Sequence, residues 1–171
     1  MKRWGDRVQD VQDRLYAMSA SAIELRKALR DDLEAIIAML ADDALGSGRE
    51  DASLPLAAAY IEAFQAIDND PNQLLAVATS NNRVIGTLQL SFLPGLARTG
   101  LWRGQIEAVR IAQEFRNSGL GQQMFEWAIA QCKARGCGLV QLTTDKTRPD
   151  AHRFYERLGF EASHIGYKIK L

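Results

Sequence analysis

Long apolar runs are missing from this sequence: no stretch approaches the ~20 residues that a membrane-spanning helix needs. Excess charge is missing too, because Lys plus Arg and Asp plus Glu number 21 each. The dense basic field of a sequence-independent nucleic-acid binder is therefore absent. Cysteine and histidine are scarce, two of each. Cys132 and Cys137 have neither a second cysteine pair nor a neighbouring histidine pair, and His152 and His164 stand apart, so no metal-ligand set forms and metal chemistry is disfavoured. In a reducing compartment the two cysteines read as free thiols. Residues 1–13 mix acids with bases, unlike a secretory or transit peptide. These absences predict a cytoplasmic protein with no nucleic-acid and no membrane partner. What is present is ordinary: 171 residues, 47% hydrophobic and 25% charged, enough for one packed domain or one domain plus a terminal extension.

Trp4, Val8, Val11, Leu15 and Met18 recur at helical spacing and are followed by Ser19-Ala20-Ser21-Ala22, so residues 1–22 read as an extension helix and linker. That helix would dock on its own domain or on a partner, with Met18 an alternative start. From residue 23 the pattern is strand, then a helix with Leu33, Ile36, Ile37 and Leu40 on one face, then a second helix opened by Leu54-Pro55 and ended by the Asp68–Asn72 cluster. Residues 74–79 and 83–92 flank Ser80-Asn81-Asn82 as a hairpin, and residues 102–112 read as a further strand. A helix over residues 120–135 buries Leu120, Met124, Ala128 and Cys132. Residues 139–144 are β-like, Pro149 introduces a helix ended by Gly159, and residues 160–163 and 167–171 read as two final strands. Antiparallel hairpins plus one strand–helix–strand crossover predict an α/β (α+β) domain over residues 23–171. Its mixed, largely antiparallel sheet has about six to seven strands and is flanked by about four helices.

Arg116-Asn117-Ser118-Gly119-Leu120-Gly121 falls between a predicted strand and a predicted helix. A helix start leaves about four N–H groups without intrahelical partners and carries roughly half a positive charge, so a turn exposing them holds an anion. Gly119 and Gly121 would let a diphosphate approach the backbone, with Arg116 as a charged donor. A tight strand-to-helix connection is the plainer reading of the same glycines. The turn matches neither the dinucleotide fingerprint nor the P-loop, lacking the earlier glycine of the one and the Gly-Lys-Ser/Thr of the other.

Together with Ile106-Glu107-Ala108-Val109-Arg110-Ile111 before it and Phe154-Tyr155-Glu156-Arg157-Leu158-Gly159-Phe160 on the last helix, the turn resembles the GNAT superfamily of N-acetyltransferases over residues 23–171. The resemblance implies the GNAT fold and acetyl-CoA as cosubstrate, without a metal. It sets the pyrophosphate on Arg116, Asn117, Ser118, Gly119, Leu120 and Gly121, and the pantetheine along Val109, Arg110 and Ile111. It also implies that Tyr155 protonates the departing thiolate, which suits a phenol of pKa ~10 facing a thiol of ~8.5. Helix packing is the alternative role for Tyr155. Where many members carry asparagine before the last helix this chain has Arg148, which would reach a CoA phosphate, reach an acidic substrate, or stand in solvent.

The acceptor amine, of pKa ~10.4, is deprotonated in roughly one molecule in two thousand at pH 7, and only the free amine attacks. A base is therefore useful. Glu107 lies two residues before Val109, on the same face by strand alternation, and family members use a glutamate here, commonly through water. Pairing with Arg103 or Arg110 is its alternative, and competence as a base calls for burial. Substrate choice falls to residues 45–64, with Glu50, Asp51 and Glu62, and to residues 94–103, with Arg98 and Arg103, whose signs conflict. The sequence thus predicts transfer of acetyl from acetyl-CoA to the primary amine of a small molecule or peptide, by a protein that resembles families often found as homodimers. The alternatives are a non-catalytic acyl-CoA sensor of the same fold and a structural or interaction domain whose partner docks on the Trp4-to-Met18 helix.

Overall fold

The computed structural model describes residues 22–42 and 48–170. The helix expected over residues 1–22 falls almost wholly outside them. The strands are β1 (Glu24–Lys27), β2 (Gln73–Ser80), β3 (Arg83–Leu93), β4 (Arg103–Ile111) and β5 (Leu139–Leu142), and they form one sheet in the order of the chain. Pairing is antiparallel from β1 to β4 and parallel between β4 and β5. A parallel pair needs a crossover, and α3 (Leu120–Ala134) supplies it.

The β2–β3 turn carries Asn81 and Asn82 at φ 50° and 60°, the paired left-handed conformation of a two-residue hairpin whose twist matches its strands. Asparagine tolerates that conformation better than most residues, which is why the hairpin is legible in the sequence.

Two helices pack on each face. Beneath α1 (Leu33–Ala41) and α2 (Ala58–Asn69), Leu33, Ile36, Ile37 and Phe64 bury against Leu75 and Val77 of β2. On the opposite face, α3 and α4 (Pro149–Arg157) cover Ala76, Leu88, Leu90 and Ile106. Leu120, Met124, Ala128 and Cys132 of α3 are fully buried, as their four-residue spacing predicts. Phe125 is buried as well, and its side chain contributes roughly 3 kcal/mol of apolar burial. No helix among the described residues is long and apolar enough to cross a membrane.

Two expectations are corrected. α2 begins at Ala58 and not at Pro55, because Ser53 donates its N–H to Asp51 Oδ1 at 2.9 Å and its hydroxyl bonds the same oxygen, holding the segment in a turn. Among the described residues the sheet has five strands, not six or seven: residues 160–170 form no strand, and Ile165, Tyr167 and Ile169 are exposed. Alternation is a local signal, whereas a strand also needs a partner edge, and none reaches this segment among the described residues.

Candidate active site

The site is built around the point where β4 outruns β5. The β4–β5 ladder ends at Ile106 opposite Leu142, whereas β4 continues to Ile111 against β3 alone. Past Ile106 the β5 side of β4 is therefore, among the described residues, an open backbone edge, lying between α3 and α4 on one face and α1 on the other.

Within this stretch Gln89 pairs with Glu107 and Thr87 with Arg110, so Ala108 and Val109 together oppose Leu88. This is a β-bulge, and Ala108 takes φ 52° to make it. The extra residue breaks the alternation on which the placement of Glu107 relied. Val109 and Ile111 pack toward α3 and α4, whereas Glu107 sits beside Gln89, itself opposite Leu75, on the α1–α2 face. Glu107 and Val109 thus lie on opposite faces. Glu107 is exposed, so the burial that its role as a base calls for is not met, and it forms no ion pair among the described residues, so the alternative pairing with Arg103 or Arg110 is not found either.

Beyond β4 the chain makes a single 3₁₀ turn, Gln113–Phe115, and enters α3 through the glycine turn. Asn117 and Gly119 take φ 62° and 86°, and Gly119 caps the helix. Gln123 N–H, bonded to Gly119 O at 3.2 Å, closes the first helical turn, so the N–H groups of Leu120, Gly121 and Gln122 precede any intrahelical bond. The two glycines have different tasks. A Cβ on Gly119 would meet nothing within 4 Å, leaving open space above the helix start; one on Gly121 would lie 3.1 Å from Ile111 Cδ1 and 3.5 Å from Phe154 Cζ. Gly119 supplies the backbone conformation and Gly121 the close packing of α3 against β4 and α4. Ser118 donates to Phe115 O at 2.6 Å. Arg116 donates from Nε to Ile111 O at 3.2 Å and pairs with Asp42 at 3.1 Å, so it staples the turn to the end of β4 and to α1. An open cradle of N–H donors at the positive end of a fifteen-residue helix fits a diphosphate.

Tyr155 approaches from α4. Its ring lies 5.5 Å from those of Phe125 and Phe154 and 6.3 Å from that of Phe160. Burial pushes its phenol above the usual value, while the positive charges of Arg148 and Arg110 draw it back down. Those two arginines therefore stand near the phenol. Arg148 itself is exposed and caps α4, with Pro149 in the first turn. Tyr155 packs with Val109 and Ile111 on the α3–α4 side of the sheet, whereas Arg110, the partner of Thr87 past the bulge, follows Glu107 on the α1–α2 side. Cys132 is buried, and desolvation pushes its thiol up to about 11, which leaves little thiolate at neutral pH. No group of three or more His, Cys, Asp or Glu side chains able to hold a metal occurs among the described residues.

The bulge at Ala108 and the anchoring role of Phe125 escaped the sequence. A bulge adds one residue without any compositional mark, and Phe125 falls outside the four-residue ladder of α3.

The sequence profile of the acetyltransferase (GNAT) family matches residues 33–160. The aminoalkylphosphonate N-acetyltransferase of Salmonella typhimurium is 30% identical over 144 residues, 84% of this chain and 88% of that protein. A transcriptional regulator from Bacillus halodurans C-125, known from its crystal structure, is 48% identical with a TM-score of 0.86, the match covering 88% of this chain and 100% of that one. Glucosamine-6-phosphate N-acetyltransferase from Arabidopsis thaliana, 21% identical over 87% of this chain and 98% of its own, shares the fold with a TM-score of 0.72. The open edge of β4, the glycine cradle and the profile spanning well over half of the chain agree: the protein belongs to the GNAT family of acetyltransferases.

Proposed function

We propose that this protein transfers acetyl from acetyl-CoA directly to the primary amine of a small molecule or peptide, through a single catalytic domain over residues 23–171. The observation that carries the reading is the β4 edge from Glu107 to Ile111, open among the described residues, which runs into the glycine cradle and whose Val109 and Ile111 share one core with Tyr155. In this arrangement the cradle from Arg116 to Gly121 binds the diphosphate, and Val109, Arg110 and Ile111 offer backbone groups to the pantetheine amides as a further strand would. A β4 N–H facing the opening polarises the thioester carbonyl. The free amine attacks that carbonyl carbon from the α1–α2 face. Because Glu107 is exposed, a water it holds takes the amine's proton. Tyr155 gives its phenolic proton to the departing sulfur and regains one from solvent, so thioester and ammonium become amide, thiol and a released proton. Arg148 steadies the cosubstrate's phosphate from the cap of α4.

Holding both reactants in this cleft converts a bimolecular step into a local one, with neither cysteine called upon as nucleophile. The acceptor of the Salmonella relative, an aminoalkylphosphonate, supports a small amine in this site. The reaction is assigned to the cytoplasm, where both cysteines stay reduced. A homodimer belongs to the same reading; the short edge strand β5 and the exposed alternating residues Ile165, Tyr167 and Ile169 support it. Release of CoA thiol from acetyl-CoA across a panel of amines, amino acids and peptides tests the assignment. Release dependent on one amine class is expected, and acetyl-CoA binding without release for any amine overturns it.

A further inference from the structure

The sheet face beneath α1 and α2 changes character from one side to the other. Over β2 it is apolar, with Leu75 and Val77 packed under the helices, yet none of the residues buried in that cluster comes from β4 or β5. There the register sets Gln73 opposite Ser91, Leu75 opposite Gln89, Ser91 opposite Gln105, and Gln105 opposite Gln141. Directly paired residues point to one face, so an amide band crosses from β2 to β5 and borders Glu107, the partner of Gln89. The band is internally bonded. Gln73 Oε1 accepts from Ser91 Oγ at 2.7 Å and from Gln89 Nε2 at 3.2 Å, and Gln141 Nε2 donates to Gln105 Oε1 at 2.7 Å. The four glutamines are half-buried, and their amide atoms outside these bonds stay open to solvent.

Its position matters more than its composition. The Gln105–Gln141 pair lies one rung before Ile106 and Leu142, where β4 and β5 part, on the face opposite α3 and α4. The amine of the proposed reaction attacks from that face, which sets the pair beside its approach. The same face of β4 carries Arg103, Gln105, Glu107 and, past the bulge, Arg110, two guanidiniums against one carboxylate, which gives a polycation no matching field. Amides offer donors and acceptors together, which an oxygen-bearing chain satisfies and an alkyl chain leaves unpaired.

We infer that this amide band is the floor of the acceptor site, and that the acceptor is a short monoamine carrying hydrogen-bonding oxygens on its chain. The inference rests on the acetyl-transfer reading above. Its test is steady-state kinetics with 2-aminoethylphosphonate, 3-amino-1-propanol, n-butylamine and spermidine, using wild type, Gln105→Met and Gln141→Met, with melting temperature and acetyl-CoA affinity as fold controls. Wild type is expected to favour the two oxygen-bearing amines. Each variant is expected to raise KM for them about tenfold while acetyl-CoA affinity stays unchanged and KM for n-butylamine does not rise. Gln141 sits on the short edge strand, so that variant carries the test if Gln105→Met does not fold. Preference of the wild type for n-butylamine or spermidine, or unaltered KM values in the folded variants, overturns the inference and leaves acetyl transfer standing. Transfer to no amine at all overturns both.

Discussion

Tyr155 is held in place by rings: Phe125 and Phe154 at 5.5 Å and Phe160 at 6.3 Å fix its plane, and none of these contacts needs the hydroxyl. Tyr155→Phe therefore removes the proton and keeps the packing. We expect kcat to fall about 100-fold, within the range for loss of a positioned acid, with acetyl-CoA affinity unchanged within twofold. Equal turnover in a single-turnover assay removes Tyr155 from the mechanism. Burial raises the phenol's pKa against the pull of Arg148 and Arg110, so the donor stays protonated on the alkaline side. Wild-type kcat is accordingly expected to show no loss from this group below pH ~10, the ordinary phenol value. At the far end of the sheet Asp32 has a structural task. It accepts from Arg26 Nη1 at 2.7 Å and Nη2 at 3.0 Å, and from Leu29 N–H at 2.7 Å, tying β1 to the start of α1. The Arg26 bonds, helped by the Leu29 N–H, hold the carboxyl below its usual range against the cost of burial. A depressed carboxyl stabilises the fold above its unfolded pKa of ~3.9 and loses that contribution as pH falls through the folded value. Asp32→Asn is expected to cost about 2 kcal/mol at pH 7, with the gap to wild type closing toward pH ~3 in urea titrations.

The α3 N-terminus shows how one short element combines conformation with packing. Gly119 stands at φ 86° with open space around it, so Gly119→Ala is expected to cost about 1 kcal/mol through backbone strain. Gly121→Ala places a methyl 3.1 Å from Ile111 Cδ1 and 3.5 Å from Phe154 Cζ, pressing on the end of β4 and on α4 together. Its expected signature is a rise of about tenfold in KM for acetyl-CoA, equivalent to ~1.4 kcal/mol. Isothermal titration of both variants separates the two effects; identical affinities would remove the packing role given to Gly121. Elements like these were legible where local chemistry and tertiary packing agree. The Asn81-Asn82 hairpin, the Leu120-to-Cys132 ladder and the Gly136 and Gly159 helix ends each follow from a local preference that the fold then uses. Legibility failed where one residue changes the count. The bulge at Ala108 moved Glu107 to the face opposite Val109, because side-chain direction in a strand has period two and an inserted residue inverts everything past it.

At the scale of the molecule, the sheet runs from β1 to β5, and its mixed pairing follows from hairpins plus one crossover, as the sequence order of elements implies. The segment after α4 is where local pattern and global partner diverge. Residues 160–163 and 167–171 read as strands, yet Ile165, Tyr167 and Ile169 are 70%, 91% and 87% exposed, and among the described residues β5 keeps a free edge four residues long. An unpaired edge is a template for another chain, and an apolar alternating segment gains its ladder bonds and its burial only by finding one. A second copy offers both at once, since each copy has a tail and an edge and the exchange closes under twofold symmetry. The full chain is therefore expected to sediment as a dimer at micromolar concentration, and a chain ending at Ser163 as a monomer that still binds acetyl-CoA, because the glycine cradle lies wholly before the cut. Equilibrium sedimentation of both chains decides it. A full chain that stays monomeric at tens of micromolar removes the dimer, and a truncated chain that remains dimeric moves the interface away from the tail.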